Sequence, residues 1–93
     1  MSRITKEEVL ELIATDSGEG HKHRLIVHND DVNTFDHVIQ SLVDICHMEY
    51  VQAEQCSLII HHKGKYAVRS GEKQKLNPMR TALTDRGIGA TID

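Results

Sequence analysis

Two separated stretches of the chain carry residue types that could act together on a ligand. Asn29, Asp30 and Asp31 stand in a row, and His61 lies far downstream. An amide, two carboxylates and a neutral imidazole all offer hydrogen-bond acceptors, and a group that needs several acceptors and no donors is an ammonium ion. The same residues admit plainer readings. An Asn-Asp-Asp run is often a turn that caps the next helix, and a histidine at a helix end is favoured there by the helix dipole. They also admit catalysis, with Asp30, Asp31 and His61 as the acid, base or metal ligands of a small hydrolase or metal-dependent enzyme.

Position along the chain decides whether these groups can meet. Leu25, Ile26 and Val27 form an apolar, β-branched run that reads as a buried strand, closed by a turn at His28 to Asp31. Asn33 is expected to cap a helix on which Phe35, Val38, Ile39, Leu42, Val43 and Cys46 recur at three- and four-residue steps. A second helix is predicted through Val51, Ala53, Cys56, Ile59 and Ile60, with His61, His62 and Lys63 in its last turn and Gly64 as a left-handed cap. Tyr66 to Arg69 reads as a short strand. Asn77 and Pro78 read as the cap and first residue of a third helix that buries Met79, Ala82 and Leu83. Ile88, Ala90 and Ile92 alternate as a closing strand. The order β-α-α-β-α-β predicts an α+β fold, a small sandwich of three helices against a three-stranded antiparallel sheet. Residues 1–22 read as an N-terminal extension. Thr5 and Glu8 start a short helix there and the small polar residues from Thr15 to Gly20 end it, which leaves 23–93 as the core.

Composition narrows the function classes. With 93 residues the chain makes one domain, too small for an enzyme with separate nucleotide and substrate sites. Its net charge of -3 opposes a nucleic-acid phosphate backbone, and three aromatic residues, Phe35, Tyr50 and Tyr66, make a poor stacking platform. No nucleic-acid partner is therefore expected. No apolar run reaches the roughly 20 residues that span a bilayer, and no secretory leader precedes the core, so the protein is expected in the cytoplasm without a membrane partner. Cys46 and Cys56 sit on apolar faces where a thiolate is disfavoured, which opposes a Cys-His nucleophile. His21, His23 and His28 lack a second ligand cluster, and His61 and His62 project in different directions from one helix, so no metal or cofactor is expected.

The run Leu25-Ile26-Val27-His28-Asn29-Asp30-Asp31, followed by an apolar helix and then by Leu58-Ile59-Ile60-His61-His62-Lys63-Gly64-Lys65, resembles the ClpS adaptors of the bacterial N-degron pathway. The resemblance extends over Arg24 to Asp93. It implies a binding module rather than an enzyme, one that holds a substrate by an N-terminal Leu, Phe, Tyr or Trp and passes it to the N-terminal domain of a Clp AAA+ unfoldase. By the same resemblance Asn29, Asp31 and His61 fall where the family grips the α-amino group, with Asp30 beside them as electrostatic support. Asn33, Phe35, Val38, Ser57, Ile60 and Ile88 fall where it walls the side-chain pocket.

The chain also departs from the family pattern. Phe35 and Ser57 stand where the family commonly has Met, and Asn33-Thr34 replaces the usual Thr-Pro. A rigid ring narrows the entrance while a small hydroxyl deepens the floor, which leaves the order of preference among first residues open. The stretch between the middle strand and the last helix is shorter than usual, which bears on docking. A regulator that docks on the unfoldase without holding substrate is the third reading of the same fold.

Overall fold

A computed structural model describes residues 23–93, so the helix expected within 1–22 lies outside the described residues. Strand β1 (His23–His28) is followed by helices α1 (Phe35–Cys46) and α2 (Tyr50–Lys63), strand β2 (Lys65–Gly71), helix α3 (Lys73–Asp85) and strand β3 (Ala90–Ile92). The sheet order is β2-β1-β3 with both pairings antiparallel. This is the expected α+β sandwich. Leu25 and Val27 of the central strand join Leu42, Ile60, Val68, Leu76, Leu83 and Ala90 in one core, so every helix and all three strands meet in the same apolar cluster. Register slips between Leu25 and Ile26 against β2, where Leu25 faces Arg69 and Ile26 faces Ala67. The extra residue of this bulge, Val68, is buried.

Three local expectations are corrected. The cap of α1 is Thr34, not Asn33: Thr34 has extended backbone and its hydroxyl accepts from the His37 N–H at 3.1 Å. Asn33 is drawn away because its side-chain amide donates to Asp30 and to the Gly87 carbonyl. Helix α3 begins at Lys73 rather than at Pro78, which lies inside it. Pro78 removes one ladder bond, to Gln74, but starting earlier buries Leu76 to 2% exposure, and that apolar anchor in the first turn outweighs the break. Ile88 precedes β3 instead of belonging to it, since pairing with β1 starts only at Ala90 opposite Val27.

The ends of these elements bring the sequence-distant groups together. Gly64, at φ 91°, closes α2 in the left-handed conformation, and its N–H donates to the Ile60 carbonyl at 2.8 Å. The Gly64 carbonyl in turn accepts from the Asn29 N–H at 2.8 Å. That bond fastens the loop after β1 to the last turn of α2, which carries His61. On its other side the loop is held to the end of α3. Asn33 donates to the Gly87 carbonyl at 2.8 Å, and His37 Nε2 lies 2.9 Å from the Arg86 carbonyl.

Candidate functional site

Between the 29–34 loop, α1 and α2 lies a cavity of about 300 Å³. Its polar side is Asn29, Asp30, Asp31 and His61; its other walls are Asn33, Thr34, Phe35, Val38, Ser57 and Ile60. The exposures grade from mouth to floor. Phe35 is 43% exposed at the rim, whereas Ile60 is 3% and Ser57 2% exposed. His61 and Ser57 are four residues apart on α2 and so share a face of that helix.

The two carboxylates have separate roles. Asp30 turns inward on its own loop: Oδ1 accepts from the Val32 and Asn33 backbone N–H groups, each at 2.8 Å, and Oδ2 accepts from Asn33 Nδ2 at 2.7 Å. These bonds, the one from the Asn33 backbone first, hold the Asp30 carboxyl below its ordinary value of 3.8. Asp30 therefore shapes the loop. Among the described residues, by contrast, no side-chain hydrogen bond or ion pair engages the side chains of Asn29, Asp31 or His61, and all three are exposed beside the cavity. They are acceptors kept available.

His61 packs against the rim. Its ring stands edge-to-face on Phe35, with centroids 5.2 Å apart and planes at 63°, an arrangement favoured by ring quadrupoles. Phe35 thus touches both the polar group and the apolar walls. Ile88, assigned to the pocket by resemblance, is 2% exposed and lies in the core instead of among the cavity walls. Thr34 joins the walls although sequence reasoning missed it. The spacing from Thr34 to His37, hydroxyl to third residue of a helix, was the available signal.

No group of three or more His, Cys, Asp or Glu among the described residues is arranged to hold a metal ion. Burial pushes the Cys46 and Cys56 thiols up from their ordinary value, which keeps both in the thiol form. No described helix is long and apolar enough to cross a membrane.

The family model for "ATP-dependent Clp protease adaptor protein ClpS" matches residues 19–89. The chain belongs to the ClpS family. A ClpS adapter protein of Campylobacter jejuni is 41% identical over 61 residues, a match that spans 66% of this chain and 62% of that relative. Less than two thirds of the Campylobacter ClpS is therefore represented. A ClpS of Streptomyces avermitilis is 29% identical over 99% of this chain and 95% of its own length. Among solved structures, Agrobacterium tumefaciens ClpS2, bound to L-phenylalaninamide, superposes with a TM-score of 0.67 over 80% of this chain and 96% of its own. At 14% identity that likeness speaks to the ClpS fold alone. The family is described as adaptors of the Clp protease, and this chain matches it over residues 19–89.

Proposed function

We propose that this adaptor binds the free α-amino group and the bulky first side chain of N-degron substrates, those beginning with Leu, Phe, Tyr or Trp, and delivers them in the cytoplasm to the N-terminal domain of a Clp AAA+ unfoldase. The observation that carries this reading is the division of one cavity into two chemistries. Asn29, Asp31 and His61 offer acceptors that have no partner among the described residues at one side, and Phe35, Val38 and Ile60 offer an apolar wall at the other. A free N-terminal residue has the complementary shape: three N–H donors on a charged nitrogen, and a side chain leaving the adjacent carbon. The fold-related Agrobacterium ClpS2 holds L-phenylalaninamide, a small molecule with both features.

The magnitudes suit an adaptor that must also release its cargo. Charge-assisted bonds to an ammonium are worth roughly 1.5 to 3 kcal/mol each, and burying a Leu or Phe side chain adds roughly 1.5 to 3 kcal/mol. Three such bonds and one buried side chain total roughly 6 to 12 kcal/mol before the cost of association, so the net is a modest affinity, micromolar or weaker, that permits release. The deciding experiment titrates a fluorescent Phe-initiated peptide against its N-acetylated twin by anisotropy. The free peptide should saturate and the acetylated one should not, because acetylation removes both the charge and the donors. Equal affinity for the two rejects amine capture.

His61 can accept a bond from the ammonium only as a neutral imidazole; once protonated it donates and repels. Affinity for the free peptide should therefore weaken in acid, and an affinity that does not change with pH would assign His61 a purely structural place. Asp30 enters only in stronger acid: its folded-state pKa is depressed, so its contribution to stability is full above the ordinary value of 3.8 and is lost only as pH falls through the lower folded value.

A further inference from the structure

Ser57 is anomalous among the cavity walls. It is 2% exposed, and its hydroxyl is the buried side-chain polar atom among the described residues that has no hydrogen-bond partner. Folded proteins seldom leave such a group unsatisfied. A serine inside a helix ordinarily bonds to the carbonyl four residues back, here Ala53, yet that bond is not made. Phe35, Val38 and Ile60, which line the cavity with it, present hydrocarbon. The described residues leave the hydroxyl free to pair with what enters the cavity.

Resting on the amine-capture reading, we propose that Ser57 is a specificity-determining residue that selects a hydrogen-bonding tip on the first side chain, and that it makes tyrosine the preferred N-terminal residue. The amine is fixed at Asn29, Asp31 and His61, and Ser57 lies one turn further along the same face of α2. Four residues of helix rise about 6 Å, comparable to the length of a phenol side chain. A tyrosine anchored by its amine thus reaches the floor tip first. Its hydroxyl both donates and accepts, as does that of serine, so one contact satisfies two groups that would otherwise be buried without partners. Phenylalanine fills the same volume and leaves the Ser57 hydroxyl as it is. Leucine stops short of it, and the tryptophan N–H lies on the flank of the ring instead of its tip.

The test uses peptides that differ only in a first residue of Tyr or Phe, with an N-acetylated Tyr control, measured by anisotropy on the full chain and on Ser57→Ala. Alanine removes only the oxygen and is the best helix former, so the variant should fold. Tyr should bind about five- to tenfold more tightly than Phe, as expected for one added hydrogen bond, and in Ser57→Ala this ratio should fall to about one. Equal Tyr and Phe affinities in the unmodified protein, with binding still amine-dependent, overturn this inference alone. So does a Tyr preference that survives Ser57→Ala, since the residue would then supply room and not a bond. Equal binding of the acetylated peptide overturns amine capture and this inference together.

Discussion

Asp31→Ala should cost about 10- to 150-fold in affinity for an amine-initiated peptide, the equivalent of one charge-assisted bond of roughly 1.5 to 3 kcal/mol, while leaving thermal stability almost unchanged. The reason is that Asp31 is exposed and makes no side-chain hydrogen bond with the other described residues. Its carboxylate is held out for something outside the fold. Asp30→Ala should behave in the opposite sense. Removing the acceptor of the Val32 and Asn33 N–H groups and of Asn33 Nδ2 should lower stability by roughly 1 to 2 kcal/mol, toward the low end because the site is solvated. Binding then weakens only as far as the loop loosens. Paired thermal melts and anisotropy titrations of the two variants check this. If Asp31→Ala melts early, or if Asp30→Ala shows the greater affinity loss at full stability, the direct contact belongs to Asp30.

The contrast between these neighbours was beyond the reach of sequence. Both are aspartates in a turn, and pattern alone could place them at the end of a strand but could not say which carboxylate would turn inward. Direction depends on the Asn33 amide, which bridges Asp30 to the Gly87 carbonyl across a large separation in the chain. Elements whose apolar periodicity is strong were legible. Phe35 to Cys46 and the run to Gly64 fold as read, because a buried stripe and a glycine able to adopt positive φ specify a helix and its end locally. The start of α3 was misread for the complementary reason. Asn77-Pro78 has the local signature of a helix start, but burial of Leu76 is a tertiary effect that no local signature reports. Ile88 was misread similarly as part of the closing strand: it alternates with Ala90 and Ile92, and only the course of the chain between Gly87 and Ala90 sets it before β3 and into the core. What brought the residues of the cavity together was the resemblance, since spacing alone cannot say that the loop after β1 meets the end of α2. The Asn29 to Gly64 backbone bond is the physical form of that meeting.

Phe35 is where the largest change in selectivity is expected. Its ring is 43% exposed and stands edge-to-face on His61, so it forms the rim and also fixes the imidazole that would accept from the amine. Ile and Val carry a second branch at the carbon next to the backbone, which cannot swing clear of a narrow mouth, and the rigid Phe35 ring should exclude them. Phe35→Ala should therefore admit Ile- and Val-initiated peptides. For Leu- and Phe-initiated peptides it should cost roughly 1 to 3 kcal/mol, about 5- to 150-fold, because a wall is lost and water enters. The fold should tolerate the change, since much of the ring already faces solvent. Phe35→Met separates the two roles of the residue. A flexible thioether keeps an apolar wall and a sulfur contact to an aromatic ring, so it should retain most of the Leu affinity while relaxing the exclusion of branched residues. Both variants and the unmodified protein can be compared on peptides differing only in the first residue. If Phe35→Ala leaves that ranking unchanged, the rim does not govern entry, and a regulator that docks on the unfoldase without holding substrate becomes the better account of this chain.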